Sequence, residues 1–128
     1  MEIIKATSDY SKDISRLMLS DLAHPDPRFP SNMISSLREH AQDKNIKKEF
    51  NNPKLLLFLA IHCKNIIGFI VGYEESTICA RIDYISAQHD RVRKKLFDYF
   101  VKECQSKKIT LIIADAFEFM DNNAFFKS

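Results

Sequence analysis

DYISAQHDRVRKKLFDY, Asp83 to Tyr99, is the stretch whose reading decides how this chain folds. A strand-like run, Ile82 to Ser86, passes through a polar turn straight into a basic amphipathic helix. That layout offers helix N-terminal amides to an anion such as a phosphate. Loops of this kind ordinarily use glycine, which lets the backbone approach the ligand closely. Here the turn carries Gln88, His89, Asp90, Arg91 and Arg93, and no glycine. Arg91, Arg93, Lys94 and Lys95 also crowd a helix N-terminus, where positive charge opposes the macrodipole. Two readings stand even. The broken local rule marks an anion partner, or the turn is simply exposed and tolerates a few tenths of a kcal/mol per charge.

Outward from this stretch, the helix places Val92, Leu96, Phe100 and Cys104 four residues apart, a wide apolar stripe. Thr110 to Ala116 reads as a strand after it. Upstream, Leu55 to Ile61 and Asn65 to Tyr73 are two strands joined by the tight turn His62-Cys63-Lys64-Asn65, and Thr77 to Ser86 is a third. Gly68 and Gly72, the only glycines, both fall in the second of these strands. A glycine inside a strand marks a bulge or a close backbone approach. The N-terminal part reads as a short strand, Glu2 to Ala6, and a helix capped by Ser8 or Ser11 with Ile14, Leu17, Met18 and Leu22 on one face. Pro25, Pro27 and Pro30 make a stiff connection. A second helix, capped by Ser31, runs toward Phe50. The last segment, FEFMDNNAFFKS, starts one more short helix at Asp121. The order β-α-α-β-β-β-α-β-(α) predicts an α/β sandwich, mainly antiparallel, with a three-strand meander and helices on both faces.

With 128 residues the chain is expected to be one domain, 1–128, burying roughly two-thirds of its unfolded surface. A net charge of +2 is too small to imply a nucleic-acid partner by itself. The basic clusters at Lys44 to Lys48 and Arg91 to Lys95 lack the interleaved aromatics of a single-strand binder. Cys63, Cys79 and Cys104 form no Cys-x-x-Cys pair, so reduced, mostly buried thiols are expected and a metal site is not. The N-terminus has no secretory pattern and the longest apolar runs are too short to span a bilayer, which makes a cytoplasmic location the default.

The element order and three strings resemble the GNAT superfamily of N-acetyltransferases, which transfer acetyl from acetyl-CoA to an amine. NIIGFIVG, Asn65 to Gly72, looks like the family's third strand. YISAQHDRVRKKLFDYF, Tyr84 to Phe100, is similar to its fourth strand, pyrophosphate loop and following helix, and DNNAFFKS, Asp121 to Ser128, to its last helix. The chain departs from the family where it matters for chemistry. The family's loop is Gln or Arg, two residues, Gly, one residue, then Gly or Ala. Counted back from the helix, Gln88-His89-Asp90-Arg91-Val92-Arg93 fits that frame with both small positions replaced by arginine. Counted forward from Tyr84-Ile85-Ser86, the loop is about two residues short instead. Phe126 stands where a family tyrosine protonates the departing thiolate. The two final strands that pair with the fifth are expected to be missing, which predicts a homodimer or a partner chain at Thr110 to Ala116.

The resemblance implies acetyl-CoA as cosubstrate and a small-molecule or protein amine as acceptor. It implies that Ile85 and Ser86 hold the pantetheine arm through their backbone, and that Gln88, Arg91, Val92, Arg93 and Lys94 meet the pyrophosphate, with arginine side chains doing what glycine amides do elsewhere. Asp83 is the candidate general base that deprotonates the amine, and Glu74 and Glu75 are second choices. The plainer reading of Asp83 is a surface carboxylate alternating with Ile82 and Tyr84. His89 reads as an exposed loop residue, and His62 beside Cys63 lacks further ligands at metal-site spacing. The alternative function is a degenerate GNAT-like binding or dimerisation domain without CoA turnover. Acceptor choice would rest on the first two helices and the Pro-rich connection, where Asp21, Asp26 and Arg28 are the suggestive charges.

Overall fold

The structure, a computed structural model, describes residues 1–23, 27 and 29–114. In chain order the elements are β1 (Glu2–Lys5), a 3-10 turn (Ser8–Tyr10), α1 (Ser11–Asp21), α2 (Ser31–His40), α3 (Asp43–Glu49), β2 (Leu55–His62), β3 (Asn65–Glu74), β4 (Cys79–Ala87), α4 (Asp90–Ser106) and β5 (Leu111–Ala114). Contacts divide the chain into two compact units, residues 7–53 and residues 1–6 with 54 onward.

The second of these units is a five-stranded sheet in the order β1-β2-β3-β4-β5. Every neighbouring pair is antiparallel except β4 and β5, which run parallel and are joined through α4. This is the mainly antiparallel α/β fold expected, with its central meander. The β2–β3 turn closes on only Cys63 and Lys64, at φ 50° and 66°. Two successive left-handed residues make a type I′ turn, whose twist matches that of the flanking strands, although neither residue is the usual Asn or Gly.

β3 shifts register twice, and each shift borders a glycine: between Ala60 and Ile61 opposite Gly68, and between Val71 and Gly72. Both glycines serve a close approach of α4. A Cβ on Gly68 would lie 3.2 Å from Val92 Cγ1 and 3.3 Å from Leu96 Cδ1, and one on Gly72 would lie 2.9 Å from Phe100 Cζ. Val92, Leu96, Phe100 and Cys104 are the buried stripe of α4. Phe58 meets Tyr99 and Phe100 edge-on, with centroids 5.1 and 6.1 Å away. Each side chain buried here, such as Leu96 or Phe100, contributes roughly 1.5–3 kcal/mol. α4 ends in a Schellman motif: Lys108 turns to φ 63°, its amide bonds the Gln105 carbonyl, and the Ile109 amide bonds that of Cys104.

The three-helix unit differs from the expectation at its caps and in its second helix. Ser11 is the first residue of α1 rather than a cap, and neither α1 nor α2 has a side-chain N-cap bond. The long helix from Ser31 is two helices, because Gln42 is extended (φ −65°, ψ 140°) and its carbonyl starts α3 afresh. The Ser15 hydroxyl holds the break by donating to the Ala41 carbonyl at 2.6 Å. Arg38 donates to the Leu22 carbonyl at 2.8 Å, tying α2 to the C-terminus of α1. Asp43 opens α3, and its carboxyl sits below the usual carboxylate range because Ser11 hydrogen-bonds to it and Lys47 and Lys12 lie near.

The two later strands begin slightly inside their expected limits. The Glu75 and Ser76 amides both bond the Cys79 carbonyl, so β4 starts at Cys79 rather than Thr77. The Thr110 and Leu111 amides both bond the Ile78 carbonyl, so β5 starts at Leu111. The helix expected at Asp121, the Phe126 position, and Asp26 and Arg28 lie outside the described residues.

Candidate active site

β4 and α4 are the elements that position the site, and one irregularity in β4 shapes it. Val71 faces Tyr84 while Gly72 faces Ile82, so Asp83 is the extra residue of a β-bulge. Bulges re-aim strands and occur beside active sites. β5 pairs β4 in parallel from Cys79 to Ile82, which lies opposite Ala114, the last described residue. The remaining residues of β4, 83–87, lead on to the N-terminus of α4. On its other edge this stretch stays in register with β3, Ile85 opposite Ile70 and Ser86 opposite Phe69.

Strand alternation sorts the side chains by face. Ile85 and Ala87 share the α4 face with their partners Ile70 and Gly68, whereas Tyr84 and Ser86 share the other with Val71 and Phe69. Tyr84 stacks on Phe69 with centroids 5.8 Å apart. Ile85 and Ser86 are buried, so what they can offer a ligand is backbone, as the resemblance requires. Asp83 is half-buried at the bulge.

The connection from β4 to α4 is two residues, Gln88 and His89, both exposed. Asp90 to Arg93 are already the first turn of α4. Four residues of the six-residue frame Gln88 to Arg93 are therefore helical. His89 is the N-cap residue but makes no side-chain capping bond, and its carbonyl accepts the Val92 and Arg93 amides, each at 3.1 Å.

The residues expected at the pyrophosphate do not form one group. Arg91 and Lys94 are exposed, as is Lys95. Val92 is buried, with Cγ1 beside Gly68, and belongs to the packing of α4 on the sheet. Arg93 turns inward: its Nη1 donates to Asp90 Oδ1 at 2.8 Å and its Nη2 to the Ala87 carbonyl at 3.4 Å. The Asp90–Arg93 pair was missed in the sequence, although its i,i+3 spacing was legible. The Asp83 bulge left no mark in β4 itself; its signal was Gly72, on the strand beside it.

The second-choice bases are differently placed. Glu75 is held in an ion pair with Arg81. Glu74, at the end of β3, lies near Cys104, whose thiol burial pushes up to about 11 with Glu74 and Glu103 adding to the rise. His62 and Cys63 are exposed at the hairpin, and among the described residues no group of three or more His, Cys, Asp and Glu is placed to hold a metal. Among the same residues no helix is long and apolar enough to cross a membrane.

No family model matches the sequence, and no curated protein matches it. Solved structures do match the fold. A ribosomal-protein-alanine N-acetyltransferase from Brucella melitensis biovar Abortus 2308 superimposes with a TM-score of 0.74 at 13% identity, over 98% of this chain and 87% of that one. A GNAT-family acetyltransferase from Staphylococcus aureus Mu50 gives 0.73 at 18% identity, over 98% and 78%. The PaiA N-acetyltransferase of Thermoplasma acidophilum, solved in complex with coenzyme A, gives 0.66 at 20% identity, over 84% and 74%. These superpositions, with the parallel β4-α4-β5 unit on an otherwise antiparallel sheet, show that this chain has the GNAT N-acetyltransferase fold.

Proposed function

We propose that the chain is an N-acetyltransferase that takes acetyl-CoA as cosubstrate and acetylates an amine, with residues 1–128 acting as a single GNAT-like domain. The observation that carries this is the β4–α4 unit of the fold, in which β4 passes its Asp83 bulge and leads through a two-residue turn to the N-terminus of α4. A pantetheine arm is itself a chain of amides, and it would add to the β4 edge at Ile85 and Ser86 as a strand does. The pyrophosphate would then fall at Gln88 and the first turn of α4, where backbone amides and exposed cations favour it. Asp83 would take a proton from the acceptor ammonium. The neutral amine attacks the thioester carbonyl, the C–N bond forms, the C–S bond breaks, and the second proton lost from nitrogen passes through solvent to the departing CoA thiolate, which leaves as the thiol. Glu75 is the poorer base because Arg81 engages it.

Two exposed apolar side chains at the start of β5 support the dimer reading. Ile78 and Leu111 are 59% and 52% exposed there, side by side through the Leu111 amide and the Ile78 carbonyl. A second copy pairing at β5 would cover them. Sedimentation at rising concentration checks this, and a monomer throughout refutes it. A cytoplasmic location accords with three unpaired thiols.

The function is tested by melting the protein with and without acetyl-CoA. At a concentration ~100 times the dissociation constant, binding adds about 2.7 kcal/mol, several degrees in Tm. With binding in hand, thiol release is followed against a panel of amines, and Asp83→Asn should lower turnover while leaving CoA affinity within about twofold. A well-folded sample that acetyl-CoA does not shift refutes the reading and leaves a GNAT-like binding domain.

A further inference from the structure

The sequence sets four cations in a row of five residues at the start of α4, and the structure treats one of them differently. Arg91, Lys94 and Lys95 are exposed, whereas the Arg93 side chain is only 12% exposed. Its two bonded partners lie on different elements: Asp90 in the first turn of α4, and the carbonyl of Ala87, the last residue of β4. One guanidinium thus spans the Gln88-His89 connection. Its Nε is sealed from solvent with no acceptor among the described residues, so no ligand atom reaches it while the side chain stays in place. The Asp90 carboxylate, in contrast, is 93% exposed, and an exposed i,i+3 pair alone contributes little. What sets this pair apart is the buried arginine end and its second contact, to the strand. A glycine-free connection of two residues has little freedom of its own, and the planar fork of Arg93 can set its geometry in a way a lysine cannot.

We propose that Arg93 is a positioning residue that staples the β4–α4 connection from within, and that an anion at this end of α4 is met by Arg91 and Lys94 instead. The second half rests on the acetyltransferase reading; the first does not. Arg91 and Lys94 make no ion pair among the described residues and are placed to meet phosphate from solvent. Arg93 acts through the backbone it holds.

Two measurements on the full-length chain separate the roles. Hydrogen exchange of the Val92 amide, which bonds the His89 carbonyl inside the stapled turn, reads the staple. Arg93→Gln should speed it at least about fivefold, Asp90→Asn less because the Ala87 contact remains, and the double variant no more than Arg93→Gln alone, because the Asp90 contact is already lost there. Arg93→Lys should fail to restore the slow rate. Titration with coenzyme A at low and high salt reads ligand contact. Arg91→Gln and Lys94→Gln should weaken binding and flatten its salt dependence, while Arg93→Gln weakens it with the wild-type salt dependence kept. Unchanged Val92 exchange in both Asp90→Asn and Arg93→Gln overturns the staple, as does a salt dependence flattened by Arg93→Gln as much as by Arg91→Gln. If Arg93→Gln does not fold, Asp90→Asn reads the staple from its other end. Wild-type protein that binds no CoA refutes the acetyltransferase reading, and the exchange comparison still decides the staple.

Discussion

Gly72→Ala is the sharpest test of how α4 lies on the sheet. In an ordinary strand this change stabilises by roughly 0.5–1 kcal/mol, since alanine has less backbone entropy to lose. Here the new Cβ would stand 2.1 Å from the Arg81 carbonyl oxygen and 2.9 Å from Phe100 Cζ, against an ordinary contact of 3.4 Å or more. The shortfall at the oxygen is 3.4 − 2.1 = 1.3 Å, and that oxygen is backbone in a central strand, which has no rotamer to escape into. Phe100 is fully buried and cannot swing out to solvent. Overpacking of this kind costs about 1–3 kcal/mol, and a strained ladder hydrogen bond adds on the order of 1 kcal/mol more. We expect a net loss of about 2–3 kcal/mol, a large part of the 5–15 kcal/mol typical of a domain. Urea and thermal unfolding should show it as a lower midpoint with the m-value unchanged, and a Tm about 8–15 °C lower. Phe100→Leu in the same background should recover only part, since the carbonyl contact remains. Gly68→Ala should cost less, its backbone contact being 2.6 Å. A Gly72→Ala protein as stable as wild type would refute the close packing of α4 on β3.

Other outcomes follow from local features. Lys108→Gly should stabilise the protein by about 1 kcal/mol, because a lysine at φ 63° bears a steric cost that glycine lacks, and a chemical melt reads it directly. Under native conditions a disulfide-exchange reagent should label Cys63 quickly and leave Cys79 and Cys104 unmodified, since only Cys63 is exposed. The Cys104 thiol is raised from its ordinary 9.0 to about 11, so the unfolded chain loses that proton first. Stability should fall as pH rises from about 9 to about 11, and Cys104→Ala should flatten that slope. Asp43 has the opposite sign: its lowered value favours the folded chain above the usual carboxylate range, and that contribution disappears as pH falls through it. Asp43→Asn or Ser11→Ala should therefore reduce the steepness of acid unfolding, followed by circular dichroism.

What the sequence determined by itself was the set of elements. Short, densely apolar runs at residues 55–61 and 65–73 on either side of a polar turn, a four-residue stripe from Val92 to Cys104 and the punctuating prolines place strands and helices, because these are local signals. It also singled out the β4–α4 junction as the candidate site and marked Gly68 and Gly72 as irregular. Local signals do not carry register or direction. That Asp83 is the bulged residue, that the second helix breaks at Gln42, and that β5 lies parallel to β4 are decided by which backbone groups find partners across the sheet or between helices. The same holds for the basic turn. Arg91, Arg93, Lys94 and Lys95 are alike as letters, and the i,i+3 spacing that Arg93 has with Asp90 is shared by Lys95 with Asp98, so spacing alone does not tell which cation turns inward. Only the tertiary structure separates them, because the carbonyl of Ala87 and the carboxylate of Asp90 converge on Arg93 and leave the others to solvent.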